Sequence, residues 1–133
     1  MGMRISGWVV AAVIGGGGAV ACGGSGDATH GKTLFNQPTI GTNKAGGCST
    51  CHTVTPGPST LLGPSLAGIE TKATNEYKAK SKASAEAWLS DAITKPNEEL
   101  APGYAADIMP HNYATDLTVS DLADLTAYLA TLK

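Results

Sequence analysis

Five consecutive residues carry most of the chemistry in this chain. Cys48-Ser49-Thr50-Cys51-His52 places two thiols three apart with an imidazole directly after them. Two cysteines at that spacing on a helical turn reach the two vinyl-derived carbons on one edge of a porphyrin, while the next residue turns its imidazole under the iron. C-x-x-C-H is therefore the attachment signature of a c-type haem. Two other chemistries use such a pair. A structural zinc site wants four ligands, and no second cysteine pair is available to complete one. A thioredoxin-type dithiol sits in a βαβ setting, and no such pattern surrounds these residues. The predicted cofactor is one covalent haem c on Cys48 and Cys51, with His52 as an iron ligand.

The chain that must position this motif has 133 residues, 15% of them charged and 5% aromatic, with 17 Gly and 7 Pro. It has room for one small domain and excludes a large enzyme. Met1 to Gly7 carries one cation, Arg4, and the apolar run that follows ends in Ala19-Val20-Ala21, the small-residue pattern of an export signal. Ile5 to Ala21 is 17 residues at most and is interrupted by Gly15 to Gly18, at the lower limit for spanning a bilayer. Residues 1–21 are thus expected to be a signal peptide. Without them, 112 residues remain with eight Lys, no Arg and eleven acids. That balance cannot neutralise a row of phosphates, so a nucleic-acid partner is excluded.

Ala19-Val20-Ala21-Cys22 resembles a lipobox, which makes Cys22 the expected lipidated first residue of a membrane-anchored lipoprotein, with ordinary cleavage and an uncleaved anchor as the alternatives. Acylation would also remove an exposed thiol that oxidation threatens outside the cell. Residues 22–27 then form a flexible tether, and residues 28–133 form the domain. Asp27 is suited to cap a short helix that ends near Asn36, before Pro38. Ser84 is suited to cap a helix over Ala85–Thr94 that stops before Pro96. The last helix begins at Thr118, with Asp121 three residues on and Leu122, Leu125, Leu129 and Leu132 on one face. Gly41 to Gly47, Pro56 to Pro64 and residues 96–116 read as loop. No alternating Val/Ile/Thr run suggests a sheet. The predicted fold class is all-α with long loops.

At the five-residue motif, and over most of residues 28–133, the chain resembles the monohaem class I cytochrome c family. The resemblance implies N- and C-terminal helices that cross over the haem, with Gly31 and Phe35 meeting Leu125 and Tyr128. Gly63-Pro64-Ser65-Leu66-Ala67-Gly68 resembles the segment after the haem motif, which implies that the Pro64 carbonyl accepts a hydrogen bond from the His52 imidazole. Once the signal is removed, Met109 is the only methionine, and Ile108-Met109-Pro110 resembles the family's Met-Pro ligand segment. Met109 is the implied sixth iron ligand; His111, His30 or an open position are the alternatives. Soft thioether ligation raises the potential and closes the iron to small molecules.

Phe35 to Cys48 is longer than the family's usual spacing, so Gln37 to Gly47 is expected to form an extra loop near the haem. With the Pro56–Leu62 segment and the anchor-like N-terminus, it resembles membrane-attached cytochrome c subunits of bacterial electron-transfer complexes such as alternative complex III. The expected function is one-electron transfer at the outer face of the cytoplasmic membrane. The partners are redox proteins, and the chain is either a tethered carrier or a subunit of a respiratory or photosynthetic complex. The rival is a haem enzyme or gas sensor with an open iron, for which no accompanying acid/base cluster is visible. Residues 27–84 carry six Lys against three acids and residues 85–132 eight acids against Lys95 alone, so a partner meets mixed charge and docking depends only moderately on salt.

Overall fold

A computed structural model describes residues 25–133. The expected signal peptide and Cys22 lie outside the described residues. Asp27 caps the first helix, α1 (Ala28–Asn36), by accepting from the backbone N–H groups of Thr29 at 2.8 Å and His30 at 3.2 Å. The helix ends at Gln37, whose extended backbone is what the following Pro38 requires. The chain then makes a single 3₁₀ turn at Cys48–Thr50, followed by α2 (Ile69–Ala79), α3 (Ala85–Thr94), the one-turn α4 (Tyr113–Asp116) and α5 (Val119–Leu129).

The core is the crossing of α1 and α5. Gly31 faces the Asp124 backbone carbonyl so closely that any side chain there would overlap it. This contact lets the two helices approach until the Phe35 and Tyr128 rings meet edge to face, their centroids 5.4 Å apart. Leu125 and Leu129 complete the seam. Asp124 adds a polar tie across it, accepting from the Asp27 backbone N–H at 2.6 Å and from His30 Nδ1 at 2.7 Å. A reciprocal capping box between Thr118 and Asp121 starts α5, as the spacing predicts. The helix stops at Leu129, so Leu132 packs against the core from the turn beyond it.

Three expectations need correction. The Gln37–Gly47 insert is not plain loop but a two-stranded antiparallel hairpin, β1 (Thr39–Ile40) with β2 (Ala45–Gly46), pairing Thr39 with Gly46 and Ile40 with Ala45. Two-residue strands are too short to show alternation in sequence. Helix α2 was not expected. Its inward stripe is only Ile69, Ala73 and Tyr77, one residue per turn with Ala73 alone fully buried, and its N-cap is Gly68, which offers no capping side chain. Within the segment read as irregular, Tyr113–Asp116 forms α4. The all-α class stands.

Candidate haem site

The 3₁₀ turn at Cys48 folds the motif back on itself. Cys51 N–H and His52 N–H both donate to the Cys48 carbonyl, at 3.1 and 2.9 Å. The Thr50 hydroxyl closes the turn onto the Gly47 carbonyl. Two further backbone bonds, Gly63 N–H to Cys51 O and Leu66 N–H to Thr53 O, each 2.8 Å, lash the returning segment alongside. That places the Pro64 carbonyl 2.9 Å from His52 Nδ1. A carbonyl can only accept, so Nδ1 carries the proton and Nε2 is left with its lone pair. Burial pushes the His52 pKa down, and the Pro64 bond offsets part of that effect. The ring is neutral, the state in which an imidazole binds a metal.

Burial also pushes the Cys48 thiol up to about 11. A nucleophilic redox dithiol needs the opposite shift. Nor does a zinc-like cluster form: among the described residues no three His, Cys, Asp or Glu side chains converge to hold a metal ion.

Cys48, Cys51, His52 and Pro64 line a cavity of about 380 Å³. Leu89 and Ile93 of α3, Leu125 of α5, and Ile108, Met109 and Tyr113 line it as well. Met109 is half-buried and packs against the core. His30 and His111 do not line the cavity. His30 is engaged with Asp124, and the His111 side chain is 53% exposed with Nε2 3.0 Å from Asp107. Of the residues named as alternatives for the sixth position, Met109 alone reaches the cavity.

A family model for cytochrome c matches residues 28–133. The chain belongs to the cytochrome c family. Membership carries haem-based electron transfer and covalently bound haem c, and the cavity fits that group: two thiols, a neutral, oriented imidazole and a thioether share a lining with Leu89, Ile93, Leu125 and Ile108. No curated protein matches the chain.

The cytochrome also has parts that spacing did not reveal. Trp88 Nε1 donates to Glu99 at 3.2 Å, and the Lys72 ammonium sits over the Trp88 ring, 5.3 Å from its centroid. Lys82 bridges Asp91 and Glu98, while Lys95 pairs with Asp91 at 3.0 Å. Lys72, Lys80 and Lys82 from the basic half of the chain thus meet Asp91, Glu98 and Glu99 of the acidic half beside the cavity. Asn97 and Asp107 hold each other reciprocally, side chain to side chain at 2.8 Å and Asp107 N–H to Asn97 Oδ1 at 3.1 Å. Lys95 with Asp91 is a local i,i+4 pair; no local pattern marks the others, because their partners lie about ten residues or more away.

Proposed function

We propose that this cytochrome c is a one-electron carrier ligated by His52 and Met109, tethered through a lipidated Cys22 to the outer face of the cytoplasmic membrane and exchanging electrons with redox protein partners, as a carrier or as a subunit of an electron-transfer complex. The observation that carries the ligand assignment is the shared cavity: Met109 lines the same cavity as an imidazole whose Nδ1–H is already committed to Pro64. Bound through Cys48 and Cys51, haem c supplies a reversible one-electron couple. Pro64 fixes the His52 tautomer and ring plane, which raises the basicity of Nε2. The Met109 thioether is a soft donor that favours the reduced state and withholds the sixth position from small molecules. Among the described residues no helix is long and apolar enough to cross a membrane; the proposed tether is the acylated N-terminus, where two or more chains hold a small domain stably.

Met109→Ala tests the ligand assignment. The oxidised wild-type protein is expected to show the weak far-red band of a thioether-ligated ferric haem, and the reduced form to resist carbon monoxide. The variant is expected to lose the band, bind carbon monoxide and drop in potential. An unchanged spectrum in Met109→Ala would assign the sixth position elsewhere, and ready carbon monoxide binding by the wild type would favour the sensor or enzyme reading. For the tether, the intact mass of the protein extracted from membranes should equal a chain beginning at Cys22 plus acyl groups and one haem. A mass with no acyl groups refutes it.

A further inference from the structure

The inserted hairpin and the short helix after Met109 are joined through one buried carboxyl. Asp116, the last residue of α4, is 1% exposed. One of its oxygens accepts from the Asn43 amide at the hairpin tip and the other from the Asn112 amide that precedes α4, both at 2.5 Å. Its backbone carbonyl accepts from Thr42 N–H at 3.0 Å. Gly41 lies against the same residue: a Cβ there would sit 2.8 Å from the Asp116 carbonyl oxygen, and its φ of +77° already belongs to glycine. A second tie runs from the Tyr113 hydroxyl to the Gly46 carbonyl, two residues before Cys48.

We propose that Asp116 is a positioning residue for Met109, anchoring the ligand segment to the hairpin and through it to the haem-attachment turn. This inference rests on Met109 being the sixth ligand. Only Pro110, His111 and Asn112 separate Met109 from α4, and the proline ring removes much of the freedom in that link. Fixing α4 therefore fixes where the thioether can reach. Helix α4 cannot fix itself. It is a single turn with no side-chain cap bond, and the Asn112 side chain at its start instead donates its amide N–H to Asp116. A buried network with every member satisfied specifies one arrangement, and a partly broken one is costly. The insert that lengthens this chain between α1 and Cys48 thus carries Asn43 to the Asp116 carboxyl and Thr42 to the Asp116 backbone carbonyl.

The test uses the holoprotein with Asp116→Asn, Asn43→Ala and a control, Thr126→Val, which removes a buried hydroxyl bond within α5 away from the cavity. Asparagine keeps the volume of Asp116 but turns one acceptor into a donor facing another donor. Asp116→Asn is expected to weaken the far-red band and to speed carbon monoxide association with the reduced protein roughly tenfold, the factor that losing one buried partner implies. Asn43→Ala is expected to move both readouts the same way by less. Thr126→Val is expected to lower the melting temperature and leave both unchanged. The inference is overturned if the Asp116 and Asn43 variants melt earlier with band and association rate as in wild type. Should Asp116→Asn yield no holoprotein, Asn43→Ala decides on the same criteria. A wild type without the band defeats the Met109 assignment itself and this inference with it; a wild type with the band and variants that keep it defeats only the role of Asp116.

Discussion

The His52 side and the Met109 side of the cavity are built by different means. From Cys48 to Leu66 the backbone holds itself: a 3₁₀ turn and two short cross-bonds bring Pro64 to the imidazole within a stretch of nineteen residues. From Lys95 to Asn112 few backbone bonds form, and side chains do the holding, by ion pairs at one end, Asn97 with Asp107 in the middle and the Asp116 cluster beyond. A ligand set by local backbone bonds tolerates little change next to it and little depends on solvent. A ligand set by remote side chains can be loosened from many places, each by a small amount.

Two glycines separate these regimes. On the His52 side, a Cβ at Gly63 would lie 2.5 Å from His52 Cε1, 2.7 Å from Nδ1 and 2.9 Å from the Cys51 carbonyl oxygen. The ring and a backbone carbonyl would both have to give, although both are held by hydrogen bonds. Gly63→Ala is expected to cost about 1–3 kcal/mol by overpacking, to lower the melting temperature by roughly 5–20 °C for a domain of this size, and to shift the potential as the Pro64 bond is lost. On the Met109 side, Gly103 has a φ of +86° but nothing within 4 Å of the place its Cβ would occupy. Gly103→Ala is expected to cost only the left-handed strain of about 1 kcal/mol and to leave the potential where it was. Thermal melts and redox titrations of the two variants check this. Equal effects from the two substitutions would mean that both ligand segments are held alike.

The same contrast explains what was legible in the sequence. The attachment turn, His52 and the capped helices α1, α3 and α5 were readable because their determinants are neighbours in the chain: Asp27 two residues before Thr29, Ser84 three before Ala87, Thr118 three before Asp121. Pro64 entered through the family resemblance, and its carbonyl lies 2.9 Å from His52 Nδ1. Helix α2 escaped because Gly68 gives no capping signal and Ala73, wholly buried, supplies almost no hydrophobic contrast. The ties of the Met109 side escaped for a different reason. Asn43, Asn112 and Asp116 are ordinary polar residues until the fold brings positions 73 residues apart into contact, and the sequence around Asn43 reads only as an extra loop near the haem.

Salt and acid should sharpen the comparison with the smallest effect. The entry to the Met109 segment is closed by Lys82 and Lys95 on Asp91, with Glu98 and Glu99 joining through Lys82, Lys72 and Lys80. These groups are partly exposed, so each pair contributes at most about 1 kcal/mol and is screened once the Debye length falls to about 3 Å near 1 M salt. Amide exchange of Glu98 and Tyr104 is therefore expected to speed up in high salt, while exchange of His52, Gly63 and Leu66 stays constant. For pH, hydrogen bonds first from Lys82 and then from Lys95 hold the Asp91 carboxyl below its ordinary value of 3.8. A depressed carboxylate contributes its full stability above 3.8 and loses it as the pH falls through the lowered value. Lys82, raised above its ordinary 10.5 chiefly by the hydrogen bond to Asp91, contributes below 10.5 and loses it above. The entry should accordingly be tightest across the broad range between these limits and loosen first in acid. Asp91→Asn should remove most of both the salt and the acid response at Glu98 and Tyr104. If exchange on the His52 side responds as strongly as on the Met109 side, or if Asp91→Asn leaves the salt response intact, the ion pairs do not close that entry.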